Sequence, residues 1–188
     1  MSIINLIGPP AAGKSTFASK FVLEHPEYTY CSIDAYRAEF KDEVPAWEHL
    51  EESILKHPKV ISETSGLSWR LIKIFNSRAL RRRKIFTIAF TGSSNIILSR
   101  LQNRQRREVP YPYHYTETET VRYVLDNLNR SSTKINYTVN VDNKETEEIY
   151  LEISQILSEY LIDNIKSTKK MRPRLHLEEH NTDTRSEI

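Results

Sequence analysis

Near the start of the chain, Gly8-Pro9-Pro10-Ala11-Ala12-Gly13-Lys14-Ser15-Thr16 restricts the possible folds more than any other stretch. It follows the apolar run Ile3-Ile4-Asn5-Leu6-Ile7 and leads into Phe17-Ala18-Ser19-Lys20-Phe21-Val22-Leu23, which reads as a helix. Strand, GxxxxGKS loop and helix in that order are the context of a phosphate-binding loop. Gly8 and Gly13 permit backbone angles and close approaches that a Cβ would block, so that successive amides can turn toward an anion. The positive end of the following helix adds to them. Lys14 supplies a point charge for the β- and γ-phosphates, and the Ser15 hydroxyl suits a magnesium ion. Pro9 and Pro10 have no N–H, so the amides from Ala11 through Ala12 and Gly13 to Thr16 must form the cradle. The chain has four glycines and two of them fall here, which argues against a chance match.

Composition sets the outer limits. A chain of 188 residues is expected to form one domain with a substantial core. Its net charge of +2 does not mark the whole surface as a nucleic-acid binder. The single cysteine, Cys31, rules out an internal disulfide framework and reads as a core thiol. No apolar run reaches membrane-spanning length, and the N-terminus starts a strand rather than a signal peptide, so a cytoplasmic protein is expected. The six histidines lack metal-ligand spacing.

Beyond the first strand, Thr29 to Ile33, Lys59 to Ile61, Lys84 to Phe90 and Tyr137 to Val141 read as strands. Between them, Trp47/Leu50/Ile54, Leu71/Ile72/Phe75, Ile97/Leu98/Leu101 and Val121/Val124/Leu125/Leu128 recur at helical spacing. Thr116 with Glu119 reads as a capping box, and a last helix is expected over 146–165. This alternation implies an α/β fold with a parallel sheet between two helical layers, whose ligands bind at the carboxyl ends of the strands. From about Lys166 to Ile188 the pattern dissolves into charged and polar residues, read as a flexible tail.

Several constellations lie where such a site would form. Asp34 follows the second strand, and Arg37 falls one helical turn later. A carboxylate there can take the proton of an attacking hydroxyl while the guanidinium holds the acceptor; a helix cap with a surface arginine is the bland alternative. Glu63 is placed for water-mediated contact with magnesium, and Ser65 could line the acceptor site, with Arg70 on the next helix a weaker candidate; a simple turn after a strand is the alternative. Arg100, Arg104 and Arg107 share a helical face and could surround a transferring phosphoryl group, or belong to a solvated basic helix. The Arg81-Arg82-Arg83-Lys84 run joins a helix to a strand and reads as structural. Tyr111, Tyr113 and Tyr115, set among prolines, could stack on a base or pack a lid.

Taken together, Gly8 to Thr16, the Asp34-x-x-Arg37 pair, Glu63-Thr64-Ser65-Gly66, the three arginines, Val109-Pro110 and the strand at Tyr137 resemble the P-loop kinases related to polynucleotide kinase, zeta-toxin kinases and nucleotide-kinase-like enzymes. The resemblance spans about residues 1 to 165. It implies the three-layer P-loop fold, a five-stranded parallel sheet of order 2-3-1-4-5, and a helical lid over about 100–115. It further implies ATP and Mg2+, with Lys14 and Ser15 holding phosphate and metal. Asp34 would activate the acceptor hydroxyl, Arg37 position it, Arg100 stack on the adenine and Arg104 contact phosphate. The function expected is phosphoryl transfer to a hydroxyl, most simply a DNA or RNA 5′ end or a nucleoside-like molecule. The rivals are a nucleoside monophosphate kinase, whose anionic acceptor needs no base, or another small-molecule kinase, and a nucleotide-dependent switch or binding module.

Overall fold

Alternating hydrophobic and helical segments resolve into a sheet with helices on both sides. The computed structural model describes residues 2–105, 117–128, 130 and 133–170. In chain order the elements are β1 (Ser2–Ile7), α1 (Lys14–Glu24), β2 (Thr29–Ser32), α2 (Ile33–Phe40), α3 (Glu43–Lys56) and β3 (Lys59–Thr64), followed by α4 (Trp69–Phe75), β4 (Lys84–Thr91), α5 (Ser94–Gln105), α6 (Glu117–Leu128), β5 (Tyr137–Asn140) and α7 (Thr146–Lys170). A short 3-10 turn at Arg78–Leu80 precedes β4. Among the described residues the strands form one sheet, ordered β2-β3-β1-β4-β5, with every neighbouring pair parallel. This is the order that the resemblance implies.

Contacts divide the chain into two compact units, Met1–Leu151 and Glu152–Ile188. The described part of the second unit, residues 152–170, is helical, five residues beyond the expected end of the last helix at 165.

In the first unit the period-2 alternation of the strands assigns side chains to opposite faces. Ile3, Ile7 and Ala89 join Cys31, Leu50, Ile54, Leu71 and Leu128 in one buried cluster beneath α3, α4 and α6. Phe90, one residue on from Ala89, points the other way, and its ring lies 6.4 Å from that of Phe17 on α1. Phe17 also meets Tyr150, at 5.5 Å. Burial pushes the Cys31 thiol above its ordinary pKa, as expected of a core cysteine.

One polar rung crosses the middle of the sheet. Asn5 is fully buried on β1 and sits in register with Ser62 on β3 and Thr87 on β4. Ser62 Oγ donates to Asn5 Oδ1 at 3.1 Å, and Asn5 Nδ2 donates to Thr87 Oγ1 at 3.3 Å. Fully satisfied, such a rung fixes strand register, because a slip would leave buried polar atoms without partners.

The arginine run before β4 has a structural role at Arg83. Its guanidinium donates to the carbonyls of Ile54 and Pro58, tying the end of α3 to the start of β3. Partial burial lowers its pKa from the usual arginine value.

Candidate functional site

The carboxyl ends of β1 and β3 and the amino ends of α1 and α2 converge on one cavity of about 800 Å³. Gly8 leaves β1 with φ +142°, and a Cβ there would lie 2.5 Å from the Phe90 carbonyl oxygen. Only glycine permits that approach, which seats the loop against β4. The turn continues through Ala11, a non-glycine residue at φ +61°, to Gly13 at φ +95°. Gly13 caps α1 without a side-chain bond, and the first turn of α1 has no acidic residue. By contrast, Asp42 caps α3 by accepting from Val44 N at 2.9 Å, with Glu43 in the first turn. Compared with α3, the amino end of α1 thus keeps its positive pole uncompensated by a local acidic side chain, as an anion site requires.

Lys14 opens α1 and is buried, 6% exposed. Its Nζ donates to the Pro9 carbonyl at 2.7 Å and lies 3.8 Å from Glu63 Oε1. Glu63 is itself buried in β3 rather than in the turn after it. Oε1 accepts from Ser15 Oγ at 2.9 Å, and Oε2 accepts from the Tyr30 hydroxyl. These bonds hold the carboxylate beside the Ser15 hydroxyl, and charge-assisted bonds of this kind are the strong ones. Burial and, secondarily, the Glu63 charge push the Tyr30 pKa well above the ordinary phenol value. The hydroxyl is thus kept as a donor. A hydroxyl and a carboxylate placed together beside an amide cradle fit a hydrated magnesium ion and a phosphate chain.

Asp34 lies in the first turn of α2, because β2 ends at Ser32 and Ile33 is already helical. It neither caps the helix nor extends the strand. Both Asp34 and Arg37 line the cavity. Arg37 Nη1 lies 3.1 Å from Asp34 Oδ1, while Nε and Nη2 face Glu43 Oε1 and Oε2 at 2.6 and 3.0 Å. Glu43 is held in turn by Trp47 Nε1 at 2.9 Å.

Of the remaining expected residues, Ser65 lines the cavity. Arg70 does not appear in the lining; its Nη1 donates to the Glu43 carbonyl at 3.2 Å. Arg100 donates through Nη2 to the carbonyls of Val141 and Lys144, at 3.0 and 3.1 Å, and is thereby fixed at the end of β5. Nearby, Asp142 accepts from Ser93 N through both carboxylate oxygens, at 2.8 and 2.9 Å, joining the ends of β4 and β5. Arg104 lies in the last turn of α5, with its side chain outside the described atoms. Arg107, Thr116, the tyrosines at 111, 113 and 115, and the residues from 171 onward lie outside the described residues. No helix among the described residues is long and apolar enough to cross a membrane.

Sequence reasoning missed several contributors. Tyr30 holds Glu63, and Glu43 engages Arg37. Glu119, Thr120, Tyr123 and Val124 form a wall of the cavity from α6. Pairs four residues apart on a helix share a face, so Glu119/Tyr123 and Thr120/Val124 were legible as a face. Nothing in the spacing says what that face meets.

No protein-family model matches the sequence, and no curated protein matches it. Among solved structures the chain is similar to a gluconokinase from Sinorhizobium meliloti, with 18% identity and a TM-score of 0.64 over 89% of this chain and 97% of that one. It is similar to shikimate kinase from Bacteroides thetaiotaomicron, with 15% identity and a TM-score of 0.60 over 84% and 98% of the two chains. A chain of the Pnkp1/Rnl/Hen1 RNA repair complex is similar over 69% of this chain and 45% of its own, with 17% identity and a TM-score of 0.57. These neighbours and the strand order together establish the fold: an α/β sheet in the arrangement of the P-loop kinases.

Proposed function

We propose that this protein is an ATP-dependent kinase that moves the γ-phosphoryl group to a hydroxyl acceptor. The observation that carries this reading is that Lys14 of the phosphate loop and the Asp34–Arg37 pair line the same cavity. Phosphoryl transfer is largely positioning and charge stabilisation, and this arrangement supplies both. The amides from Ala11 to Thr16 and the ammonium of Lys14 hold the donor phosphates. Ser15 and Glu63 would hold a hydrated magnesium ion, which when bound neutralises charge on the β- and γ-oxygens. Arg104, near the end of α5, adds positive charge at the transferring group, and the guanidinium of Arg100 offers a fixed platform for the base.

Asp34 takes the proton from the acceptor hydroxyl as its oxygen bonds to the γ-phosphorus. The bond from that phosphorus to the bridging oxygen breaks, and ADP leaves with the electron pair. Asp34 then releases the proton to solvent. Arg37 keeps the carboxylate oriented, and Ser65 contacts the acceptor. Of the acceptors expected from sequence, a small molecule of nucleoside size suits a cavity of about 800 Å³.

The test is to follow γ-labelled ATP with magnesium and a broad set of alcohols. Label should appear in a phosphorylated organic product. Label found only in free phosphate, with every acceptor, would refute transfer and favour the switch.

A further inference from the structure

The Asp34 carboxylate stands at one end of a series of contacts that leads from the cavity into the core. It lies in the first turn of α2 with its side chain partly exposed. A carboxylate on such a surface can turn between rotamers, and a general base needs one of them held. Arg37 Nη1 restrains it by donating to Asp34 Oδ1 at 3.1 Å. An arginine side chain has many rotamers of its own, so it passes on order only when its guanidinium is fixed.

Glu43, on the next helix, supplies that fixation. Its Oε2 accepts from Arg37 Nη2 at 3.0 Å, and its Oε1 lies 2.6 Å from Arg37 Nε. The same Oε2 accepts from Trp47 Nε1, one turn further along α3, at 2.9 Å. Trp47 is buried and packs in the cluster that holds Leu50 and Ile54, so its indole is the rigid end of the series. The Arg37 guanidinium also lies over the Trp47 ring, 5.9 Å from its centre. From α4, Arg70 Nη1 donates to the Glu43 main-chain carbonyl at 3.2 Å and ties down the start of α3.

Two features assign this series to orientation rather than to stability. The Glu43 side chain is 52% exposed, and ion pairs so open to water add little to folding. Contacts at both ends of the guanidinium plane set its direction, which simple charge neutralisation would not require. Among the described residues the cavity lining includes Asp34 and Arg37 but not Glu43, Trp47 or Arg70. Any effect of those three on a reaction there has to pass through the pair.

Resting on the kinase reading, we propose that Glu43 and Trp47 are positioning residues, which hold the Arg37 guanidinium so that the Asp34 carboxylate faces the acceptor hydroxyl. The proton of that hydroxyl passes to Asp34 as its oxygen bonds to the γ-phosphorus, and ADP departs with the electrons of the broken bond. Glu43 and Trp47 neither gain nor lose a proton.

The experiment combines kinetics with NMR on the full chain. Kinetics use saturating ATP and magnesium with the alcohol labelled fastest in the γ-label screen. Misplacing a reacting group costs up to about 10²-fold, so Glu43→Ala should lower kcat by about 10- to 100-fold. Both KM values should stay within about 2-fold, and the melting temperature should stay near that of the wild type. Added to Asp34→Asn, the same substitution should cost no more than about 2-fold further, because residues that act as a unit are non-additive. Trp47→Phe keeps a ring but removes the Nε1 donor, and should give a smaller fall in kcat with the same split. In ¹⁵N spectra without acceptor, Glu43→Ala and Arg37→Ala should each shift the Trp47 indole signal, with the exposed Trp69 indole as the internal control. Equal losses from Glu43→Ala with and without the Asp34 carboxylate would overturn the proposal. So would a raised acceptor KM at unchanged kcat, or a Trp47 signal that ignores both substitutions; each leaves the kinase standing. Transfer to no alcohol by the wild type would instead remove the kinase reading, and the positioning role with it.

Discussion

On the proposed kinase reading the cavity has a donor half and an acceptor half, and the two are made in different ways. The donor half is built from backbone and buried side chains: a loop pressed against β4 at Gly8, a helix end left open at Gly13, and Lys14 and Glu63 at 6% and 4% exposure. The acceptor half consists of side chains on helix surfaces, with the Asp34 side chain 40% exposed and Glu43 52% exposed. Backbone geometry can be specified by a few glycines and tolerates little change. Surface side chains can be exchanged at small cost to the fold, since substitutions there usually shift stability by only about 0.5 kcal/mol. If the proposed function holds, the first half would fix the reaction and the second would be where a substrate is chosen.

The sharpest way to break this contrast is Lys14→Ala. Removing the ammonium should lower kcat/KM by about 10³-fold or more, since single charge-stabilising donors at reacting centres carry effects of that order. The circular dichroism spectrum should remain that of the wild type. Substantial turnover in the variant would show that the donor half is not where the phosphates sit.

Asp34→Asn tests the acceptor half. It keeps the size of the side chain but replaces an ionised oxygen with an amide, and general-base assistance is typically worth about 10²-fold or more. The expected result is a fall in kcat of that size with nearly unchanged melting temperature and ATP affinity. A loss of ATP affinity instead would blur the division between the halves.

Tyr30→Phe should have the smallest effect and would sharpen the comparison through stability. The substitution leaves a buried carboxylate oxygen of Glu63 with one donor fewer, at a cost of about 1–3 kcal/mol, and loosens magnesium binding without affecting acceptor KM. There is also a pH signature. The folded pKa of Tyr30 is raised by burial and by Glu63, so its contribution is fully present below the unfolded phenol value of about 10 and is lost as pH rises beyond it. Tyr36, pushed up to about 12 chiefly by burial, acts in the same direction. Wild-type melting temperature should therefore decline above about pH 10, and less steeply in Tyr30→Phe. Identical alkaline profiles would remove Tyr30 from the buried network.

Legibility in the sequence followed the same division. Gly8, Gly13, Lys14 and Ser15 could be placed because their roles depend on backbone angles and on neighbours in sequence. The strands were legible from apolar runs, although Ile33 proved helical and β3 continued to Thr64. The pairing of Tyr30 with Glu63 depends on β2 lying beside β3, with Ser32 opposite Glu63, and that register is a long-range fact. Glu43 was invisible as a partner of Arg37 for a related reason: the bend between α2 and α3 brings it back, and Lys41 makes that bend at φ +55°. The α6 wall had the right period but no indication of what it would face.

The crowding of Gly8 by the Phe90 carbonyl also bears on the order in which the molecule can assemble during synthesis. Of the five strands of the sheet β1 is made first, yet its partners are β3, beginning at Lys59, and β4, beginning at Lys84. Parallel pairing has to close these long intervals before the central strand is flanked on both sides. A nascent chain that ends short of Phe90 already carries every residue of the GxxxxGKS motif but not the wall that shapes it. The most recognisable segment of the sequence thus acquires its working form only after some eighty further residues, through Phe90, have been made.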